Sequence, residues 1–257
     1  MSHWIIELAV FILGLIFGSF LTVCINRIPK EESVVSPRSR CPQCGTPIKW
    51  YHNIPVLSFL FLRGQCGSCR EQIPLRYPLI ELINGFGYLL VVWKFGLTWP
   101  TVVYAGLFSV FVVVTVIDWD HQIIPDVITL PGIILGFVCA VFLLPTGWLN
   151  SLIGILVGGG ILLILAWMSP LLFGKEGMGG GDIKFMAMVG AFLGWKSALI
   201  ALFLGSVGGA IIGITLLAFK VMKRGQYIPF GPYLAFGSLV AMIWGPDLWH
   251  WYFKGMF

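Results

Sequence analysis

Apolar residues fall in long runs separated by short polar breaks. The first run is about Trp4 to Ile25, and others follow at about 79–97, 101–117, 127–145, 148–173, 183–194, 197–219 and 230–246. A helix needs about 20 apolar residues to span a bilayer. The pattern therefore predicts an all-α polytopic membrane protein with about eight transmembrane helices. The run at 183–194 is short for a full span and reads as a half-helix or a tilted piece. The first run does not read as a cleaved signal peptide, because it carries Glu7 and ends in Arg27 and Lys30 rather than at a small-residue cleavage site.

Composition agrees with this pattern. Hydrophobic residues make up 58% of the chain and charged residues 11%, too little polar surface for a soluble domain. Gly14 and Gly18, and Gly205, Gly209 and Gly213, have the four-residue spacing that lets helix backbones approach in lipid. No internal repeat or low-complexity tract is read from the chain.

Positive charge sets the orientation. With the N-terminus outside, 13 of the 16 Lys and Arg residues fall on the inner side. They are Arg27, Lys30, Arg38, Arg40, Lys49, Arg63, Arg70, Arg76, Lys175, Lys184, Lys220, Lys223 and Arg224. Only Lys94, Lys196 and Lys254 fall outside. Both termini are then external, and Trp249 to Phe253 reads as an outer aromatic belt. Three parts result: a first transmembrane helix over 1–27, a cytoplasmic loop domain over 28–78, and a seven-helix bundle over 79–257. The basic loop is expected to lean on anionic lipid. It lacks the repeated basic-aromatic pattern of a nucleic-acid binder.

That loop holds two Cys-x-x-Cys knuckles, Cys41 with Cys44 and Cys66 with Cys69, with 21 residues between them. Four thiolates at this kind of spacing suit a tetrahedral structural zinc site, in a zinc-ribbon-like loop between helices 1 and 2. The reducing cytosol disfavours disulfides. Cys24 and Cys139, inside apolar runs, read as small buried hydrophobes.

Only 11 residues are acidic, and four of them sit at the edges of apolar runs: Asp118, Asp120, Asp126 and Asp182. Such placement marks functional candidates. The predicted topology puts all four on the cytoplasmic side, where two carboxylates from different helices can form a proton-sharing pair. Asp126, after Pro125, is expected to cap a helix. Asp182 follows Gly179-Gly180-Gly181, which allow close backbone approach and unusual dihedrals. Asp118 and Asp120 lie two apart and point in different directions on one helix, so at most one should face Asp182. Spacing does not choose between them.

Together these residues resemble the type IV prepilin peptidase family, the bifunctional leader peptidases and N-methyltransferases of pilus and type II secretion systems. The resemblance runs through Gly18-Ser19-Phe20-Leu21 with Arg27-Ile28-Pro29, the cysteine knuckles and Asn53-Ile54-Pro55. It continues through Leu75-Arg76-Tyr77-Pro78 with Glu81, Ile117-Asp118-Trp119-Asp120 leading to Ile124-Pro125-Asp126, and Gly179-Gly180-Gly181-Asp182. It implies Asp118 and Asp182 as the catalytic pair, with Gly179, Gly180, Gly181 and Pro125 supporting the site. It further implies cleavage of prepilin or pseudopilin leaders after Gly in the bacterial inner membrane. Methylation of the new N-terminus, usually Phe, with S-adenosylmethionine would follow. The methyl-transfer site is placed at Asn53 and Glu81, where the loop meets the membrane.

One carboxylate would take a proton from water while the other, protonated, polarises the scissile carbonyl; the pair titrates as a unit. A peptidase without methyltransferase activity is one alternative. A zinc-ribbon transporter or assembly factor is another, but it predicts acidic residues near mid-span rather than at span edges. The pilin substrates and the oligomeric state are not encoded in any motif.

Overall fold

The computed structural model describes residues 3–173, 179–219 and 229–254. Lys175, Lys220, Lys223 and Arg224 of the inner-side charges lie outside the described residues. The described elements are helical: α1 His3–Arg27, α2 Leu57–Phe61, α3 Arg76–Phe95, α4 Trp99–His121, α5 Asp126–Phe142, α6 Trp148–Phe173, α7 Gly180–Ala218 and α8 Gly231–Lys254. Among the described residues no strand forms, and only two isolated bridges occur, Arg40 with Pro47 and Gln65 with Gln72. Every apolar run of the sequence lies on one of these helices. Five of them (α1, α3, α4, α6 and α7) are long and apolar enough to cross a membrane, and α5 is a shorter apolar helix. The chain is an all-α polytopic membrane protein. It divides into two compact units, Met1–Val113 and Val114–Phe257.

In the first unit α1 packs on α3 backbone to backbone. A Cβ on Gly14 would lie 2.7 Å from the Gly85 Cα, and one on Gly18 would lie 2.7 Å from the Glu81 Cα. Polar side chains join the apolar helices, as expected where lipid offers no water. Buried Asn84 donates to the Gly14 carbonyl at 2.8 Å, and Ser109 donates to Asn84 Oδ1 at 2.9 Å. Beyond α1, Arg27 donates to the carbonyls of Ser33 at 2.8 Å and Pro37 at 2.7 Å, folding the chain back into the loop.

The loop shows a repeat that the sequence reading did not find. In each knuckle the backbone N–H of the first cysteine bonds a carbonyl five residues on: Cys41 to Thr46 at 3.0 Å, Cys66 to Glu71 at 2.7 Å. In each, the residue after the second cysteine turns left-handed, Gly45 at φ 68° and Arg70 at φ 60°. An arginine at the second of these positions hides the correspondence.

In the second unit α7 is 39 residues long with a break at Gly194, φ 77° and ψ 171°. An unbroken helix of that length would run about 58 Å, twice the apolar thickness of a bilayer. The runs at 183–194 and 197–219 are its two limbs. A break in lipid frees carbonyls that need partners. Ser151 donates to the Ala191 carbonyl at 2.7 Å and Thr146 to the Phe192 carbonyl at 2.9 Å. Gly154 and Gly190 meet backbone to backbone, so α6 lies tight against the first limb. The second limb lies against α8, where a Cβ on Gly205 would sit 3.0 Å from the Tyr233 carbonyl oxygen. The aromatic segment from Trp249 continues α8. The Trp249 ring meets Trp195 edge-on at 5.3 Å, under Lys196.

Candidate active site and metal centre

Asp118 lies in the last turn of α4 on its buried face, with Val114 and Ile117 fully buried beside it. Its side chain is 3% exposed. Asp120 lies on the exposed side of the same turn. The α4 helix closes with Gln122 at φ 56°, whose N–H bonds the Asp118 carbonyl at 2.9 Å. An extended Pro125 then starts α5.

Asp182 lies in the first turn of α7 and is 5% exposed. The three glycines before it work differently from the sequence expectation of unusual dihedrals. Gly179 is ordinary extended backbone at φ −74°, and the helix begins at Gly180. What they supply is space. A Cβ on Gly181 would lie 2.9 Å from the Ile124 Cβ and 3.1 Å from its carbonyl oxygen, so this turn backs directly onto the segment leading to Pro125. Gly180 faces open space.

Asp118 and Asp182 are thus both buried, one at the end of α4 and one at the start of α7 of the same unit. Two carboxylates in this relation can share one proton, which suits general acid and base work on a water molecule.

Two further residues belong to this end of the unit and were not found from sequence. The backbone N–H of Gly231, at the start of α8, donates to Asp118 Oδ2 at 2.8 Å. Phe230-Gly231-Pro232 is a legible turn before an apolar run, but a turn signal does not name its tertiary partner. Lys184 donates to both carboxylate oxygens of Asp126, at 2.7 and 2.6 Å. This corrects the capping role expected for Asp126. Pro125 occupies the N-cap with no side-chain cap bond, and the Asp126 carboxylate ties α5 to α7 instead.

In the loop, the sulfurs of Cys41, Cys44, Cys66 and Cys69 all lie within 4.8 Å of one another. All are free thiols, and Cys41 and Cys69 are 3.8 Å apart. Zn–S bonds of about 2.3 Å in a tetrahedron put sulfurs about 3.8 Å apart, so the donor set fits zinc. The thiols also act on one another. Hydrogen bonds from Thr46 draw Cys44 down to about 6. Cys69, drawn down by the Glu71 backbone, is carried up to about 12 by desolvation and the three neighbouring sulfurs. His52 packs over the second knuckle, where a Cβ on Gly67 would lie 2.6 Å from its ring.

At the base of the loop, buried Glu81 accepts the Val56 N–H on Oε2 at 2.7 Å, and Ser19 also bonds its carboxylate. Val56 stands at φ 58°, ψ −48°, with Leu57 N–H bonding the Pro55 carbonyl at 2.5 Å. This is a γ-turn of the rare, strained hand, on a β-branched residue that resists positive φ. Asn53 is exposed at the end of a short 3-10 turn.

Comparison with known proteins gives two matches in sequence order. Residues 12–95 match the Bacterial Peptidase A24 N-terminal domain, and residues 105–214 match the Type IV leader peptidase family. A prepilin leader peptidase/N-methyltransferase of Pseudomonas aeruginosa is 37% identical over 94% of this chain and 91% of its own length. One of Aeromonas hydrophila is 38% identical over 97% and 94%, and one of Neisseria gonorrhoeae 35% over 93% and 90%. No solved structure matches the chain.

Proposed function

Since the chain belongs to the type IV leader peptidase family, we propose that it is a membrane aspartic endopeptidase and N-methyltransferase of prepilins and pseudopilins. It cleaves their short basic leader after Gly and methylates the new N-terminal residue. The observation that carries the peptidase reading is the buried pair Asp118 and Asp182, one from the end of α4 and one from the start of α7.

In this reading the ionised member of the pair takes a proton from water, and the water oxygen attacks the scissile carbonyl. The protonated member donates to the carbonyl oxygen, and the departing amine then receives a proton from the pair. Gly231 holds the Asp118 carboxylate in place. Open space at Gly180 admits a substrate backbone, and Gly181 and Pro125 set the turn on which Asp182 stands.

Residues 28–78 form a zinc-binding loop domain, and 79–257 form the bundle that bears the peptidase site. Zinc on Cys41, Cys44, Cys66 and Cys69 would cross-link the two knuckles of a loop too short for a good core of its own. Methyl transfer belongs at this loop and its junction with α3, at Asn53 and Glu81, next to the strained Val56 turn. S-adenosylmethionine supplies an electrophilic methyl group when bound. The inner membrane follows from the family resemblance, and the cytoplasmic face for the site and loop and the external termini follow from the charge distribution.

Mass spectrometry of a pilin N-terminus after incubation with the enzyme, with and without S-adenosylmethionine, tests both activities. Loss of the leader in both samples and a further 14 Da only with the methyl donor, the mass of one methylene, is expected. An uncleaved pilin would overturn the assignment.

A further inference from the structure

The loop between α1 and α3 carries an apolar stripe that none of the described residues covers. Ile54 stands just before the Val56 turn, and Leu57, Leu60 and Phe61 of α2 follow the i, i+3, i+4 spacing of one helix face. They are 40%, 52%, 63% and 84% exposed. The other side of α2 turns inward, where the Phe59 ring packs on Gly64 and Ser58 bonds the Ile54 carbonyl at 2.7 Å. The exposed stripe is therefore one face of α2, and the Phe59 ring lies against the loop on another side.

Two observations fix what lies against that face. The first is depth. Val56, immediately before α2, is bonded to Glu81, and Glu81 is five residues into α3. That places its Cα about 7.5 Å along the α3 axis from Arg76. The start of α2 is held beside the first turns of a membrane helix, not out in solvent. Exposed Leu79 and Ile83 on α3 continue the apolar surface at this level. The second is charge. Exposed Lys49 precedes exposed Trp50 and Tyr51, and exposed Arg63 follows α2. An apolar helical face bordered by aromatic rings and cations is the composition of a segment lying in a bilayer interface.

We propose that α2 is an interfacial helix, sunk into the anionic cytoplasmic leaflet with Leu57, Leu60 and Phe61 among the acyl chains and Lys49 and Arg63 at the headgroups. The loop is then not a free extramembrane domain. One edge of it is anchored in lipid, and the Glu81–Val56 bond sets how deep that edge sits.

Photo-crosslinking tests this in the full-length, zinc-loaded protein. p-Benzoyl-phenylalanine is placed singly at Phe61, at Leu60 and, as an aqueous control, at Val35, which is 87% exposed. Each protein is reconstituted in phosphatidylethanolamine–phosphatidylglycerol vesicles, irradiated and weighed. A phospholipid-mass adduct at Phe61 and Leu60, at least tenfold above that at Val35, is expected. The same low adduct level at all three positions overturns the proposal. So does an adduct at Phe61 that forms only with added prepilin and to prepilin alone, because the stripe would then be a peptide-docking face.

Discussion

Gly231 gives its backbone N–H to Oδ2 of Asp118 across 2.8 Å, linking residues 113 apart in the chain. The α8 N-terminus thus presents the positive end of its dipole to a carboxylate at the end of α4. A Cβ on Gly231 would lie 2.7 Å from that oxygen and 3.0 Å from the Asp118 Cγ. Glycine is required there by the closeness of the carboxylate. Gly231→Ala should push Asp118 aside by a fraction of an ångström to an ångström and lower kcat about 100-fold, with KM for prepilin little changed. Steady-state kinetics on a prepilin peptide check this, and a variant with unaltered kcat would separate Gly231 from the chemistry.

Asp118→Asn and Asp182→Asn each remove one half of the buried pair while keeping its size. Each should lower leader cleavage by at least about 10²–10⁴-fold, the contribution of a positioned acid or base. Asp120→Asn should leave substantial activity, because its side chain stands on the exposed side of the same helical turn. A cleavage assay on the three variants decides it. Loss at Asp120 with retention at Asp118 would reverse the assignment.

The Asp126–Lys184 pair should matter little to stability. Its side chains are 54% and 38% exposed, and pairs of that kind contribute at most about 1 kcal/mol. Lys184→Gln should keep most peptidase activity and melt within a few degrees of the parent in detergent. A large loss of activity without unfolding would give Lys184 a direct part in the site.

Gly194 is the point where α7 breaks, in a region of backbone space that is nearly glycine-only. A Cβ there would also meet Thr146 Cγ2 at 3.0 Å. Gly194→Ala should cost about 1–3 kcal/mol. Thermal unfolding in detergent measures it, and an unchanged midpoint would show that the break does not need glycine.

How much of this was legible beforehand depends on which physical signal each feature leaves. Long apolar runs report burial in lipid directly, so every long helix could be placed, while the short α2 in the loop could not. The cysteine knuckles were legible because zinc demands particular donors at short spacing. Spacing did not separate Asp118 from Asp120, since two residues in one turn differ only in which face the neighbours bury; the family resemblance pointed to Asp118, which is the buried one of the two. Gly231, Lys184 and the Val56 turn were invisible for a related reason. Their roles come from a backbone donor, a long side chain and a strained dihedral, each finding a partner on another element. The single break in α7 was half legible: the gap at Gly194-Trp195-Lys196 marked it, but not that Ser151 and Thr146 would satisfy the freed carbonyls.

The four-cysteine cluster makes the last prediction. Purified protein should contain one zinc per chain, and each knuckle should resist alkylation while the metal is bound. A Cys44→Ser variant loses one of four ligands, so the loop's folding energy, which is largely the metal's binding energy, falls with it. Acidification should release the ion as the thiolates protonate, and a strong chelator should do the same at neutral pH. The helix that carries Asp182 is held by its own packing, through the Gly154–Gly190 contact and the carbonyl bonds from Ser151 and Thr146, and Asp118 is held by the Gly231 N–H. Methylation should therefore fall at least as far as cleavage when zinc is removed. Elemental analysis, native alkylation and the paired cleavage and methylation assay read this together. A zinc-free preparation with four freely alkylated thiols would remove the metal site. Equal loss of both activities in Cys44→Ser would make the metal a general folding element of the chain.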